Sequence, residues 1–361
     1  MFLQNCWYVA GSAGEFDSGR TVARRILDKP VLLYLTGDGR PVAMEDRCPH
    51  RRVPLSAGKR IGDSIQCGYH GLVFNAEGAC THIPGQDMVP PVKVATYPVE
   101  LRYGYVWIWM GAAPADADYI PELSWLARDD WAVGRGQKYI KADYRLLTDN
   151  LLDLSHEDYI HHSTIANAAD ENIANFPVDV RVDEARVVSI HRDMPDIASP
   201  PFFRIMRGND DRIDRWQTAI WTAPAVNMTD VRAKDAGGAA EGSLISHVMH
   251  ILTPETATST HYFWSHSRNK RVDEQEVTRG ICAAIDRTFD EDTVMLELQQ
   301  KSLNEFDGPV PGMRTRFDDA PLRARKILTA LIKQEQESGG IVVAQRQRML
   351  FRDEARENVD A

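Results

Sequence analysis

No run of apolar residues in this 361-residue chain approaches the length a membrane-spanning helix needs. The opening residues, Met1-Phe2-Leu3-Gln4-Asn5, lack the basic start and long apolar stretch of a secretory signal, so none is expected. Cysteine is scarce: the five, at 6, 48, 67, 80 and 282, are odd in number and irregular in spacing, which excludes a secreted disulfide framework. Basic charge is short as well. Forty-two Lys and Arg stand against 52 Asp and Glu, a net −10, which argues against nucleic acid or an anionic membrane as the main partner. A cytoplasmic protein is the expectation. With 43% hydrophobic and 26% charged residues the composition is that of an ordinary globular chain, long enough for two domains.

Up to about residue 110 the pattern is of short strands, among them Val31–Leu35, Val42–Met44 and Tyr103–Met110, set apart by turn pairs such as Asp38-Gly39 and Glu77-Gly78. This reads as a small all-β domain over 1–112. Residues 113–118 have linker composition, and a second domain is expected over 119–361. There the periodicity predicts helices from Tyr144 to about His162, from Thr278 to Ser302 and from Pro321 to Glu337. Strands are predicted over Val180–Val188, Arg215–Thr222, Leu244–Leu252 and Thr258–Ser265, with a loop at Ala236–Gly242. Strands and helices without regular βαβ alternation suggest an α+β domain built on an antiparallel sheet.

Two constellations carry chemistry. Cys48-x-His50 and Cys67-x2-His70 place one thiolate and one imidazole on each of two loops, in the same order, with glycines at 68 and 71 permitting a tight second loop. That is the ligand set of a Rieske [2Fe–2S] cluster, in which the cysteines hold one iron and the histidines the other. A structural zinc site uses the same ligand types but pairs like with like at each loop. Cys80 and His82 lie nearby without matching spacing.

The second constellation is Asn150-x2-Asp153-x2-His156-x4-His161. On a helix, 150, 153 and 156 share a face, and a bend or helix end near 158–161 is needed to bring His161 back to it. His162 is the rival second ligand. Two histidines lack the carboxylate of a facial triad for non-haem Fe(II). The stripe Ile281, Ile285, Phe289, Leu296 passes through Asp292, an acid at an apolar position that is costly unless paired or metal-bound, whereas Asp290 and Glu291 fall off the stripe and read as surface charges. Asp153, one turn before His156, reads as a carboxylate that orients the ring of His156 through its free N–H.

Together these residues resemble the Rieske non-haem iron oxygenases, in the branch that includes vanillate O-demethylase and dicamba monooxygenase. The resemblance runs from Asn5-Cys6-Trp7-Tyr8 through both motifs to Asp292 and Leu296-Glu297. It implies a helix-grip catalytic domain, a cluster on Cys48, His50, Cys67 and His70, and mononuclear Fe(II) on His156, His161 and Asp292. It also implies a homotrimer in which Asp153 bridges His156 to His70 of the adjacent subunit, and it places Asn150 beside the iron. No Gly-x-Gly-x-x-Gly segment is present, so electrons from NADH or NADPH are expected through a separate reductase, with or without a ferredoxin.

The reaction implied is O-demethylation of a methoxylated aromatic acid with O2: hydroxylation of the methoxy carbon gives a hemiacetal that collapses to a phenol and formaldehyde. By the same resemblance Asn227 and His250 are candidate substrate contacts, and Ser199–Arg204 a lid or pocket wall. Gly280-Ile281 stand where dicamba monooxygenase has a pocket tryptophan, which argues against dicamba as the substrate. The alternatives are N-demethylation, methyl hydroxylation or ring hydroxylation of another aromatic, and an electron carrier whose second domain only binds a ligand.

Overall fold

The structure, a computed structural model, describes residues 2–16, 19–306, 308 and 312–344. The expected end of the second domain at 361 therefore lies outside the described residues. Eleven short strands form first: β1 (Trp7–Ser12), β2 (Val22–Ile26), β3 (Lys29–Leu35), β4 (Pro41–Glu45), β5 (Lys59–Ile61), β6 (Ser64–Gln66), β7 (Val73–Phe74), β8 (Cys80–His82), β9 (Thr96–Tyr97), β10 (Val99–Arg102) and β11 (Tyr105–Trp109). They make three antiparallel sheets, ordered β1-β11-β10, β2-β3-β4-β9 and β5-β6-β7-β8.

Strand β3 shows why no polar alternation is seen there. Successive side chains point to opposite faces, and both faces are covered. Val31 and Leu33 enter the main core, while Leu32 and Tyr34 enter a smaller core that also holds Cys48 and Cys67.

Residues 110–131 carry no regular helix or strand, and two 3-10 turns lie at Ala117–Tyr119 and Ser124–Ala127. This segment is strapped down. Asn5 Oδ1 accepts the Ala113 N–H at 2.9 Å, Trp109 Nε1 donates to the Ala113 carbonyl at 2.9 Å, and Trp7 Nε1 donates to the Asp116 carbonyl at 2.8 Å. Around it Trp7, Trp107 and Trp109 share one apolar cluster with Met228, Met249 and Phe263 from the large sheet. The far end of the chain returns too, for Glu335 accepts the backbone N–H groups of Gln4 and Asn5 at 2.8 and 2.7 Å.

The large sheet is antiparallel and seven-stranded: β12 (Ala132–Ile140), β13 (Asp179–Val182), β14 (Val188–Ile197), β15 (Ile213–Thr222), β16 (Val226–Asp235), β17 (Leu244–Thr256) and β18 (Ser259–Arg268), ordered β12-β18-β17-β16-β15-β14-β13. The helices are α1 (Tyr144–Leu152), α2 (Glu157–Ile160), α3 (Pro201–Arg207), α4 (Gln275–Glu305) and α5 (Asp319–Ser338). Helix α4 buries Ile281, Ile285, Phe289 and Leu296 against the core, with Lys138 of β12 pairing to Asp286 and Asp290 at 2.8 and 2.7 Å. Among the described residues no helix is long and apolar enough to cross a membrane.

Two expected elements break where a polar side chain captures the backbone. The strand expected over 180–188 is a tight hairpin instead, because Asp183 Oδ1 accepts the Val187 N–H at 2.8 Å and Arg186 takes φ +64°. The helix expected over 144–162 stops at Asp153, whose φ of −118° and ψ of 89° are not helical. Its carboxylate accepts the N–H of Ser155 at 3.0 Å and caps the next 3-10 turn, Leu154–His156.

Candidate metal centres

The first centre lies on two loops with one backbone pattern. In each, the cysteine N–H donates five residues ahead, Cys48 to Val53 and Cys67 to Leu72, at 2.9 and 2.8 Å. The N–H four residues ahead returns to the cysteine carbonyl, from Arg52 at 2.8 Å and from Gly71 at 3.1 Å. That fourth position needs a left-handed backbone, φ +60° at Arg52 and +75° at Gly71. Gly71 takes it without strain, whereas Arg52 takes it against the usual steric cost.

The thiols of Cys48 and Cys67 are buried and interact directly. Burial raises the pKa of Cys48, and the neighbouring thiol adds to the rise. Two thiolates can share this place only with a metal cation to balance them. His50 and His70 are exposed at the loop tips, with ring centroids 4.6 Å apart. Buried sulfurs beneath surface imidazoles fit a two-iron cluster with a cysteine-held iron inside and a histidine-held iron outside. Cys80 does not join them, since its sulfur lies 3.6 Å from the His82 carbonyl within β8.

The second centre gathers His156, His161 and Asp292, whose ligand atoms all lie within 4.8 Å of one another. His156 Nε2 is 3.5 Å and His161 Nε2 3.3 Å from the same Asp292 oxygen, Oδ1. The outer nitrogens decide the tautomers. His156 Nδ1 lies 2.6 Å from the Asp153 carbonyl and His161 Nδ1 2.8 Å from Glu291 Oε2, and neither oxygen can donate. Both Nδ1 atoms therefore carry a proton, which leaves the two Nε2 atoms, both facing Asp292 Oδ1, as the ligand atoms. Two imidazole nitrogens and a carboxylate oxygen converging on one point are a donor set for a cation, and two imidazoles with one carboxylate suit Fe(II). Burial opposes charge on both Asp292 and His161. The His161 and His156 rings and Asn150 nevertheless hold the Asp292 carboxyl low, and Asp292 and Glu291 hold His161 high. Asn150 Nδ2 donates to Asp292 Oδ1 at 3.0 Å.

Some sequence expectations hold here and others change. His161, buried, takes the ligand position, and His162 is exposed. It is the carbonyl of Asp153 that orients His156, while its carboxylate accepts from Ser155 N and Oγ at 3.0 and 2.6 Å. Glu291 is not a bare surface charge, because a glutamate one position off the stripe is long enough to reach His161 around the helix. Asp290 does face outward, toward Lys138.

Beside this centre is a cavity of about 80 Å³. Apolar walls come from Phe202 and Phe203 of α3, Val231, Val248 and Phe289, and polar groups from Thr229, Ser246 and His250. The α3 wall agrees with the expectation for 199–204. His250 is bonded at both nitrogens, to Thr229 Oγ1 at 3.2 Å and Tyr262 Oη at 2.5 Å, and burial pushes its pKa down to about 3. It is thus a neutral ring. Asn227 does not line the cavity. It is buried one pair further along β16, opposite His250, with neither amide atom bonded, and Thr229 takes the cavity position.

Sequence reasoning missed the ionic wall. Arg215 and Gln217 project from β15 onto Glu157, with Arg215 Nη2 3.0 Å and Gln217 Nε2 2.6 Å from its carboxylate. The available signal was polar residues on the inward face of a strand whose Ala219 and Trp221 enter the core.

Residues 140–334 match the family model "Vanillate O-demethylase oxygenase C-terminal domain", and residues 6–98 match "Rieske [2Fe-2S] domain". The chain is 36% identical over 349 residues to the vanillate O-demethylase oxygenase subunit of Pseudomonas sp. strain HR199, covering 94% of this chain and 97% of that one. It is 35% identical over 347 residues to the iron–sulfur subunit of the toluene-4-sulfonate monooxygenase system of Comamonas testosteroni, covering 93% and 98%. A crystal structure of dicamba monooxygenase bound to 3,6-dichlorosalicylic acid superposes with a TM-score of 0.84 at 31% identity, covering 93% of this chain and 99% of that one.

Proposed function

This chain belongs to the Rieske non-haem iron oxygenases that carry the vanillate O-demethylase type of C-terminal domain, and from that premise we propose that it O-demethylates a methoxylated aromatic acid, releasing formaldehyde. The observation that carries the reading is the cavity. Its lining is mostly apolar, with three phenylalanine rings, and His156, His161 and Asp292 form part of the same wall, which suits an aromatic substrate held beside the metal position. In this reading Cys48, Cys67, His50 and His70 hold the [2Fe–2S] cluster, and His156, His161 and Asp292 hold the mononuclear iron. The bound iron supplies the oxygen chemistry that no side chain offers.

The chain's own residues do the rest. Asn150 steadies the Asp292 carboxylate from one side. Phe202, Phe203 and Phe289 exclude water and clamp the ring. Thr229, bonded to the neutral His250, presents its hydroxyl to a substrate oxygen without adding charge. Electrons come from a separate NAD(P)H-dependent reductase, directly or through a ferredoxin. The Asp153 carboxylate is half-exposed, so it can accept from the partner subunit's His70 in a homotrimer. The boundary between the cluster domain (1–112) and the catalytic domain (119–361) is placed at 113–118.

The test is formaldehyde release. The iron-loaded protein is supplied with NADH, a surrogate Rieske-oxygenase reductase and a panel of methoxybenzoates including vanillate. Formaldehyde in proportion to NADH, absent in Asp292→Ala, supports the reading. The similar identity to the toluene-4-sulfonate relative favours one second reading, hydroxylation of an aryl methyl group. That reaction would consume O2 with 4-toluenesulfonate or 4-methylbenzoate and release no formaldehyde.

A further inference from the structure

The two imidazoles of the iron site are held by unlike partners. Behind His156 stands a neutral acceptor, the Asp153 carbonyl in the preceding turn. Behind His161 stands a full negative charge, contributed by α4 across 130 positions of the chain. His161 is 1% exposed, so its Nδ1–H depends on that acceptor. Losing it strands a buried donor. Glu291 meets no Lys or Arg among the described residues, and His161 is its only ion-pair partner there.

Position adds a mechanical argument. Glu291 and Asp292 are consecutive residues in the middle of a 31-residue helix, and they grip opposite nitrogens of His161 at 2.8 and 3.3 Å. His161 itself ends the short α2, within a stretch that is not regular helix. The rigid element thus places the ligand that the irregular one carries.

We propose that Glu291 is a positioning residue of the iron site. It fixes the Nδ1–H tautomer of His161, aims Nε2 at the metal position, and supplies the second negative charge that, with Asp292, balances a divalent ion. The proposal rests on the iron site of the reaction described above and on no property of the substrate.

The experiment compares Glu291→Gln, Glu291→Asp and Glu291→Ala in the full-length, cluster-containing protein. Fe(II) affinity is measured by competition with a chromogenic chelator, and site geometry from the electron paramagnetic resonance signal of the Fe(II)–nitric oxide adduct. Cluster absorbance checks folding. Glu291→Ala is expected to bind Fe(II) about 10–100-fold more weakly, with an altered signal. Glu291→Gln keeps an acceptor within reach and lies between Ala and the parent. Glu291→Asp keeps the charge, loses the reach and falls below Gln. The proposal is overturned if Gln and Ala both bind within twofold of the parent, or if Gln is no better than Asp. Should Ala fail to fold, the order of Gln and Asp decides. Formaldehyde plays no part, so failure here leaves demethylation standing, and failure of demethylation leaves this result intact.

Discussion

Replacing Arg215 with methionine should destabilise the catalytic region far more than the exposed arginines of this chain would. Arg215 and Glu157 are each 2% exposed, 3.0 Å apart, and paired through a charged hydrogen bond. Deleting one partner of a buried pair leaves an uncompensated charge and costs about 3–5 kcal/mol. Methionine fills much of the arginine volume, so little of that cost is cavity. Gln217 still donates to Glu157 at 2.6 Å, which favours the lower end of the range. For a domain of this size, about 2–4 °C per kcal/mol converts the loss to a melting shift of about 6–20 °C. The damage should also reach the iron, because Glu157 lies between His156 and His161 in the chain and its displacement moves both ligands. Near-UV circular dichroism of the iron-loaded protein reads the melting, with cluster absorbance reporting the N-terminal region separately. The double variant Glu157→Gln/Arg215→Met removes both charges and should recover most of the loss. A single variant melting within about 2 °C of the parent would refute the reasoning.

Asp153→Asn should keep both metals, because His156 is held by the residue's carbonyl and an asparagine oxygen can still accept from Ser155. Reductase-driven turnover should fall at least about tenfold, and near-parental rates at full iron content would remove Asp153 from the electron path. Asp292→Ala should lose the mononuclear iron and keep the cluster; metal analysis beside the visible spectrum checks this, and retained catalytic iron would exclude the triad. The pH prediction concerns His266, buried against Ser246 Oγ at 2.8 Å, whose pKa is pushed down to about 3 by burial first, then by Arg268 and His247. Below about pH 6.5 the unfolded chain takes up a proton there that the folded one refuses, so stability falls with pH between 6.5 and 3, by about 1.4 kcal/mol per unit. His266→Gln should flatten the acid limb of a melting-versus-pH curve, and parallel curves for parent and variant would contradict the assignment.

The boundary between what could and could not be read in the sequence follows the range of the interactions. Cys48, His50, Cys67 and His70 were legible because each pair sits on one short loop, where spacing nearly determines geometry. Asp292 was legible because helical periodicity marks a carboxylate in an apolar stripe. The strand at 180–188 and the helix through 153 were misread because a single aspartate carboxylate captures a nearby N–H and ends the element, a local competition that periodicity does not register. Asn227 and Thr229 share one face of β16, and which of them reaches the cavity depends on how neighbouring strands and α4 close around it.

What the sequence alone determined is the chemistry: which atoms are available to bind iron, in two groups, and the long helix that carries Asp292. Tertiary structure decided the partners. Glu291 reaches His161 across 130 positions, Arg215 meets Glu157 across 58, and Glu335 closes on Asn5 across 330. No local pattern encodes such pairs, because each is chosen by the packing of whole elements, and in a buried site a charge must find its counter-charge wherever the fold brings one.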